Sequence, residues 1–530
     1  MRNTHIYLSF LVLLLAGGCS LAERTSSELS GEQYRPQVHF TPEKNGMSGP
    51  VEIILREGVY HLYYPCNPEN ERGNVSHWGH ATATDLLHWE HHPAVLSPDG
   101  NGAILSGCIV FDEHNTSGLG SVGNPPLVSL FTYHDYGKEE QGAVEVESQG
   151  LAYSLDNGYT WQKYEKNPVL PNPGIRDFKN PKVFWYEAGK RWIMTLAADN
   201  RISIYTSPDL CEWTYESSFG KGLGQEGDIW DTPDLFEMPV GNSNESKWIC
   251  VVNIGFGISG EWGTGYFPGS FDGSTFSPDQ TEPIWVDHGK DFYSGRTSLL
   301  PGGRRLLTGW MNNWEYATES PASLWMGAVS IPRNVSLEKV GARYLLKAGP
   351  VEEIKCLNSE RVVISAMDIA QDVHRDGVEN VTGMIPFGIL PSDITLRFDI
   401  GGKIGRIGFA EKFGIRFSNP EGESVSVGYD CFNRRFYIDR RNAAARVFSD
   451  KFAAIHILPY AIESLDVLDL RIILDKSSVE MFVMDGKGAM TDTFYPSSGF
   501  NKVEVFAENG KVSLAELSVT ELKSVWKEKE

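Results

Sequence analysis

The chain has 530 residues and a formal net charge of −22, from 47 Lys and Arg against 69 Asp and Glu. This charge repels phosphate backbones, so nucleic-acid binding is excluded as the main role. The 41% hydrophobic content excludes a disordered chain, and 14 Trp, 21 Tyr, 26 Phe and 54 Gly are typical of short strands and tight turns, with aromatic faces left for stacking on sugars.

Residues 1–18 have the features of a secretory signal peptide. Arg2 precedes an apolar run over residues 6–15, about half of the ~20 residues that cross a bilayer. Small residues follow, and the stretch Leu-Ala-Gly-Gly-Cys that ends at Cys19 resembles the lipobox of bacterial lipoproteins. This implies cleavage before Cys19 and acylation of its sulfur. Plain secretion stays open, because Ala is less usual than Leu three positions before the cysteine.

Residues 19–35 are polar and are predicted to be a tether between the lipid and a folded body. No apolar run of 18 residues follows, so we expect membrane contact only through the lipid anchor. The predicted location is therefore the bacterial cell envelope, either periplasmic or on the outer surface.

The other six cysteines are widely spaced and form no Cys-x-x-Cys pair. Neither a zinc knuckle nor a disulfide scaffold is indicated, and most are predicted to be buried free thiols. His77 and His80 lack a third ligand at metal spacing, so we predict no metal site and no cofactor. The six are Cys66, Cys108, Cys211, Cys250, Cys356 and Cys431.

Strand-like stretches separated by turns recur over residues 36–345. Three of them are followed by an Asp and, four or five positions later, a Trp. Such a repeat is typical of propeller blades, because each sheet must bury its face against the next. A sandwich of unrelated hairpins is the alternative from this pattern alone. The three pairs are Asp85 and Trp89, Asp156 and Trp161, and Asp209 and Trp213.

A second all-β domain is predicted over residues 350–525. Stretches such as 394–398, 436–439, 470–474 and 479–483 alternate with turns like Met-Asp-Gly at 484–486. This antiparallel alternation favours a two-sheet sandwich.

Several motifs along the chain resemble those of glycoside hydrolase family 32, the invertases, levanases and inulinases that cleave β-fructosides. The resemblance runs from about Tyr34 to the C-terminus and implies an all-β fold, a five-bladed β-propeller with a funnel-shaped site at its axis followed by a β-sandwich. The motifs include Phe-Thr-Pro-Glu-Lys-Asn at 40–45, His-Trp-Gly-His-Ala at 77–81, Asp-Leu-Leu-His-Trp-Glu at 85–90, Pro-Lys-Val-Phe-Trp at 181–185, Pro-Asp-Leu-Phe-Glu at 233–237 and Gly-Trp-Met-Asn-Asn-Trp at 309–314.

The chemistry of this family needs a nucleophile, an acid/base and a carboxylate that steadies the charged ring. None of the three is intact. The nucleophile motif Trp-Met-Asn-Asp-Pro-Asn-Gly falls on residues 46–52 and places Gly49 at the nucleophile. The stabiliser motif Phe-Arg-Asp-Pro-Lys-Val falls on 178–183 and gives Lys179 and Asn180. The acid/base motif Trp-Glu-Cys-Pro-Asp falls on 230–234 and gives Asp231, one methylene shorter than Glu.

Other residues of the predicted site have changed as well. Arg296 stands where the family usually has an aliphatic residue, and Glu226 and Asp228 replace mostly neutral residues before the acid/base. An alternative registration lets Arg176 and Asp177 stand for the Arg-Asp of the stabiliser, at the cost of three extra residues before the following proline.

Each candidate has a functional and a structural interpretation. Asp231 is a general acid or a ligand contact, or else a residual carboxylate in an idle site. Glu52, Asp177, Glu226 and Asp228 either supply a carboxylate from new loops or are ordinary structural or solvated acids.

The charged and aromatic candidates also have a functional and a structural interpretation each. Lys179 and Arg296 bind an anionic sugar substituent or pair with local acids. Trp78 stacks on a sugar or packs in a blade, and Trp89 is expected to pack. The predicted substrate-binding set is Asn180, Lys179, Arg296, Trp78, Asp228 and Glu226.

The sequence therefore predicts a lipid-anchored, carbohydrate-active protein whose partner is an oligo- or polysaccharide. The leading hypothesis is a repurposed site that acts on a glycoside other than a simple terminal fructoside. A non-catalytic glycan-binding protein and a fructan hydrolase with relocated carboxylates are the alternatives, and a second carboxylate facing Asp231 would distinguish catalysis from binding.

Overall fold

The computed structural model describes residues 26–69, 74–221, 223, 229–255, 262–373, 375–462 and 466–526. The predicted signal peptide, Cys19, most of the tether, Glu226 and Asp228 lie outside these ranges. Within them, no helix has the length and apolar character needed to span a membrane.

The N-terminal part of the described chain is a ring of five sheets, each an antiparallel meander. In blade 1, the short strand β1 (Asn45–Met47) also pairs in parallel with β21 (Trp325–Met326), which follows the second strand of blade 5 in the chain and closes the ring. Blade 1 contains β1 (Asn45–Met47), β2 (Glu52–Arg56), β3 (Val59–Asn67), β4 (His77–Ala83) and β5 (Glu90–Leu96). Blade 2 contains β6 (Ala103–Phe111), β7 (Leu127–His134), β8 (Glu147–Ser154) and β9 (Gln162–Lys163). Blade 3 contains β10 (Phe178–Tyr186), β11 (Arg191–Ala198), β12 (Ile202–Ser207) and β13 (Thr214–Phe219). Blade 4 contains β14 (Ile229–Pro239), β15 (Ser246–Gly255), β16 (Gly263–Phe271), β17 (Phe276–Pro278) and β18 (Ile284–Trp285). Blade 5 contains β19 (Tyr293–Leu299), β20 (Arg305–Trp310), β22 (Arg333–Val340) and β23 (Arg343–Pro350), and β21 lies between β20 and β22 in the chain but joins the sheet of blade 1.

Two sheets form the C-terminal β-sandwich, and their inner faces share one large apolar core. One sheet contains β24 (Asn358–Asp372), β25 (Arg375–Asp376), β27 (Ser392–Asp399), β32 (Val467–Leu474), β33 (Ser478–Val483), β34 (Gly488–Thr493) and β36 (Lys511–Leu522). The other contains β26 (Val378–Asn380), β28 (Lys412–Ser418), β29 (Ser424–Asp430), β30 (Arg435–Asn442), β31 (Ile455–Pro459) and β35 (Lys502–Glu508). An all-β propeller followed by a β-sandwich is confirmed.

Helices are short in the described residues. The two α-helices are α1 (Ser26–Gly31) and α2 (Tyr136–Glu140). The 3-10 helices are Glu187–Gly189, Pro301–Gly303, Ala317–Glu319, Glu352–Leu357 and Thr382–Met384.

The Asp-Trp repeat lies at the turns between strands. Asp85 and Asp209 each accept two backbone N–H bonds from the residues that follow, and Asp156 accepts the backbone N–H of Thr160. The Trp161 and Trp213 indoles donate to carbonyls of the same turns. The Asp therefore fixes each turn by local hydrogen bonding, and the Trp anchors it to its blade.

The innermost strands of blades 2 to 5 share a distortion that builds the axis of the propeller. Each carries a β-bulge near its start, where extra residues interrupt the pairing with the next strand. A bulge breaks the strict alternation of side chains between the two faces of a strand. The side chains within the bulges can therefore point toward the axis of the propeller. The bulges lie between Ile104 and Gly107, Lys179 and Lys182, Asp231 and Asp234, and Tyr293 and Arg296.

All six described cysteines are free thiols. The prediction of burial holds for Cys108, Cys250 and Cys431. Cys66 and Cys211 are half-buried, and Cys356 is exposed because it lies in the 3-10 helix that joins the two domains.

We predict that a buried histidine pair in blade 1 weakens the fold at acidic pH. His61 Nδ1 lies 3.0 Å from His80 Nε2, and both rings are 1% exposed. Burial, reinforced by the charges of His92 and Arg56, lowers the pKa of His61 to about 4, and burial lowers that of His80 to about 3. The unfolded chain therefore binds more protons between about pH 3 and 6.5, and stability present above pH 6.5 is lost as the pH falls through this window.

The lowered pKa of His61 corresponds to about 3 kcal/mol of pH-dependent folding free energy. Urea denaturation at pH 7 and pH 4.5 should therefore show a smaller loss for His61→Gln than for the wild type. Carboxylates that titrate in both proteins cancel in this comparison. An equal loss in both proteins would contradict the prediction.

Candidate active site

A cavity of about 400 Å³ opens at the axis of the propeller. Its wall takes residues from every blade, most of them from the bulges and from the turn after β1. The described wall combines polar side chains with the aromatic side chains of Tyr136, Trp262, Tyr293 and Trp314. The residues that the bulges and the turn after β1 contribute are Ser48, Leu105, Ser106, Lys179, Asn180, Asp231, Thr232, Tyr293 and Ser294.

Gly49 lies beside this wall with a φ of +119°. A Cβ atom added there would lie 3.2 Å from the Cβ atoms of Ser294 and Trp310. Both the backbone conformation and the space therefore favour glycine at the position where the nucleophile was expected.

Asp231 and Asn180 form a direct pair across blades 3 and 4. Asn180 Nδ2 donates to Asp231 Oδ1 over 2.6 Å, and the Thr232 backbone N–H donates to the same oxygen over 2.7 Å. Asp231 Oδ2 has one long contact, 3.4 Å from the Tyr293 hydroxyl. The pair is therefore an amide donating to a carboxylate, with one carboxylate oxygen left for a ligand.

Two polar atoms of the wall lack a hydrogen-bond partner among the described residues. They are the side-chain oxygen of Asn180 and the hydroxyl of Ser106. Buried polar atoms are usually paired, so these two mark places where a ligand hydroxyl would be accepted.

Lys179 is surrounded by acids. Its ammonium group forms a 2.8 Å ion pair with Asp177. Burial alone would lower the pKa of Lys179, but the Asp231, Glu147 and Asp177 carboxylates raise it above its ordinary value. Three carboxylates near one ammonium leave negative charge at this side of the cavity.

Arg296 lies beneath the cavity and is 2% exposed. Its guanidinium donates to the carbonyls of Gly107, Pro181 and Asn180. Burial lowers its pKa below the ordinary value. Arg296 therefore joins the bulges of blades 2 and 3 by hydrogen bonds. It does not line the described wall of the cavity.

The other acids proposed from sequence are also engaged. Glu52 is 5% exposed and accepts a 2.6 Å bond from Lys182, and Asp177 holds Lys179. Asp231 is the one carboxylate on the described wall of the cavity. Asp177 and Glu52 do not join it there.

The aromatic residues of the wall differ from those suggested by sequence. Trp78 is fully buried and its indole donates to the Leu105 carbonyl, so it supports the wall from behind. Trp89 packs on Phe40, as expected. Sequence reasoning missed Trp262 and Trp314, which line the cavity, as do Tyr136 and Tyr293. The Gly-Trp-Met-Asn-Asn-Trp motif at 309–314 carried a signal for Trp314.

A larger cavity of about 570 Å³ lies on the β-sandwich, between Tyr34 and the segment 385–390. Its described lining is mainly apolar and contains Lys476 but no carboxylate. The axial cavity is therefore the better candidate for carbohydrate chemistry, because it combines a carboxylate, an amide and hydroxyls.

A five-bladed propeller with an axial carboxylate site, joined to a β-sandwich, defines a glycosidase architecture. The chain matches the family model "Glycosyl hydrolases family 32 N-terminal domain" over residues 39–348 and "Glycosyl hydrolases family 32 C terminal" over residues 373–521. It belongs to glycoside hydrolase family 32.

Known relatives are similar over nearly the whole chain. A levanase of Bacillus subtilis is 38% identical over 534 residues, covering 99% of this chain and 76% of the relative. An extracellular exo-inulinase of Aspergillus awamori is 32% identical, covering 93% of this chain and 96% of the relative.

Solved structures of the family superpose closely. The Aspergillus awamori exo-inulinase gives a TM-score of 0.81 at 29% identity, covering 94% of this chain and 99% of that chain. A fructofuranosidase of Schwanniomyces occidentalis complexed with fructose gives 0.78 at 28% identity, covering 95% and 100%.

Proposed function

We propose that this chain is a glycan-binding protein of the bacterial cell envelope that holds a sugar in the axial cavity without hydrolysing fructosides. The Asn180–Asp231 pair carries the proposal. An amide donates to the carboxylate there, and no second carboxylate lies on the described wall. A retaining glycosidase needs two carboxyl groups about 5 to 5.5 Å apart, and an inverting one about 6.5 to 9.5 Å.

The chemistry of the wall favours a neutral sugar. Asp231 Oδ2, Asn180 Oδ1 and the Ser106 hydroxyl offer acceptors for sugar hydroxyls, and the indoles of Trp262 and Trp314 offer stacking faces. An anionic substituent fits poorly, because Lys179 is already held by acids. Fructan oligosaccharides are the first probes, because the relatives named above are a levanase and an exo-inulinase.

We predict that Asp231→Asn weakens glycan binding at least about tenfold without lowering thermal stability. A lost hydrogen bond to a charged group costs about 1.5 kcal/mol or more, which is about a factor of ten in affinity. The protein is first screened on an array that contains inulin, levan and uronic-acid oligosaccharides, and the strongest neutral ligand is then titrated calorimetrically. Glu237→Gln, an exposed position on the same strand, is the matched control.

Unchanged affinity of Asp231→Asn would overturn the role of this carboxylate. Tighter binding of uronates than of neutral oligosaccharides would overturn the inferred substrate class. Product formation from the bound glycan would favour catalysis instead of binding.

One observation supports a catalytic role. In the sequence, Asp228 directly precedes Ile229, which lines the cavity, and Glu226 is three positions before Ile229. An acid from this stretch would supply the second carboxylate. If products form, Asp228→Asn and Glu226→Gln should each be assayed, and loss of turnover in one of them would identify the partner of Asp231.

Attachment to the envelope is the remaining part of the proposal. The lipobox-like stretch that ends at Cys19 supports it. Cys19→Ala should move the protein from the membrane fraction to the soluble fraction.

A further inference from the structure

A cluster of metal-ligand side chains lies away from the axial cavity, where blade 1 meets the connection to the sandwich. Asp85, His88 and Cys356 each offer one ligand atom, and these atoms all lie within 4.8 Å of one another. Asp85 and His88 belong to the turn between β4 and β5, and Cys356 belongs to the 3-10 helix Glu352–Leu357. The cluster therefore joins two segments that are 271 residues apart.

The carboxylate of Asp85 is held in position for a ligand. Its Oδ1 accepts the backbone N–H groups of Leu87 and His88 over 3.1 and 2.9 Å. Its Oδ2 lies 2.6 Å from His88 Nδ1 and 3.8 Å from Cys356 Sγ. One oxygen thus fixes the side chain, and the other faces an imidazole nitrogen and a thiol.

These separations suit a small tetrahedral ion. Zinc–oxygen and zinc–sulfur bonds of about 2.1 and 2.3 Å at a tetrahedral angle place oxygen and sulfur about 3.6 Å apart. The oxygen–sulfur distance matches this value closely. The imidazole must withdraw by about 0.8 Å to reach the matching oxygen–nitrogen separation of about 3.4 Å, which a partly exposed side chain can do.

The electrostatic environment favours a cation. The carboxylates of Asp85 and Glu353 both lie near the Cys356 thiol. Arg304, the nearby positive group, is held by both oxygens of Glu353. A divalent ion would supply the missing positive charge and would convert the thiol into a thiolate ligand.

We propose that Asp85, His88 and Cys356 bind a zinc ion, with water as the fourth ligand. Binding forms a zinc–sulfur bond, breaks the S–H bond of Cys356 and releases that proton to the solvent. The ion would tie the blade 1 turn to the interdomain connection and would shield an exposed thiol from oxidation.

The test is a titration of the full chain with zinc chloride by calorimetry in two buffers of different ionisation enthalpy. The wild type should bind one zinc ion at this site and release a proton. Cys356→Ser and His88→Gln should each lose at least about tenfold in affinity. Cys356→Ser should also lose the proton release. Cys211→Ser, which removes another partly exposed thiol, should bind as the wild type does.

Cobalt provides a second measurement. Cobalt bound by a thiolate gives a charge-transfer absorption band, which should be present in the wild type and in Cys211→Ser and absent in Cys356→Ser. Zinc affinity that is the same in wild type and Cys356→Ser, or cobalt binding without the thiolate band, would overturn the proposal. Because Cys356 is exposed, its replacement should leave the fold intact.

Discussion

Purified protein should release fructose from sucrose, inulin or levan at least about 10⁴-fold more slowly than a levanase relative assayed in parallel. The covalent step needs a nucleophilic carboxylate, and Gly49, at the position where the sequence resemblance predicts the nucleophile, has no side chain. Asn180, at the position predicted for the stabilising carboxylate, carries no charge to steady a developing cation. Removal of one residue that acts as part of a catalytic unit commonly costs about 10⁴ to 10⁶ in rate.

Restoring the missing carboxylate should not restore the reaction. Gly49→Asp introduces a Cβ atom at a φ of +119° and at 3.2 Å from the Cβ atoms of Ser294 and Trp310. The side chain is strained there, and Asn180 stays neutral. Gly49→Ala is the matched control, because it carries the same strain without the carboxylate. Both variants should lose stability by a similar amount and neither should release fructose.

The assay should quantify fructose by chromatography and include a mock purification to exclude contaminating enzyme. Fructose release at the rate of the relative would contradict the prediction if it follows the purified protein and disappears in Asp231→Asn. That outcome would mean that another carboxylate has taken the place of Gly49.

The fold could be inferred from sequence because its signals are local. The turns at Asp85, Asp156 and Asp209 are fixed by hydrogen bonds within five residues, so a repeat in the sequence corresponds to a repeat in structure. The alternation of residues in strands such as β27 and β31 likewise reflects one buried face.

The cavity wall was harder to predict, because it depends on bulges. Strict alternation assigns each residue of a strand to one of two faces, whereas a bulge between Tyr293 and Arg296 changes that assignment. Arg296 consequently lies below the cavity, and Tyr293 and Ser294 line it. Trp262 lies outside the strands, directly before β16 of blade 4, and no local sequence pattern indicates its position.

A second large effect is expected at the interface between the domains. Glu480 of the sandwich accepts hydrogen bonds from His39 over 2.9 Å, from Arg333 over 2.7 Å and from the backbone N–H of Ile331 over 2.9 Å. The charged side chains involved are fully buried. Glu480→Gln should destabilise the protein by about 3 to 5 kcal/mol, because it removes one of the two carboxylates that pair with each buried cation; Asp287 remains beside Arg333 and Asp475 beside His39.

Equilibrium denaturation in guanidinium chloride measures this effect. Asp469→Asn is the matched control, because Asp469 pairs with Arg397 in an exposed ion pair of the same sandwich. Such surface pairs contribute about 0 to 1 kcal/mol. Similar small losses in both variants would contradict a structural role for the buried network.

The same network predicts a dependence on alkaline pH. Burial opposes protonation of His39, but its hydrogen bonds to Asp475 and Glu480 and their charges raise its pKa to about 9. The folded protein therefore binds more protons than the unfolded chain above pH 6.5. Stability from this histidine is complete below pH 6.5 and is lost as the pH rises through 9. Because Glu480→Gln removes one of the two partners of His39, the variant should lose less stability than the wild type between pH 7 and pH 9.5. An unchanged pH slope would show that Asp475 alone holds the imidazolium.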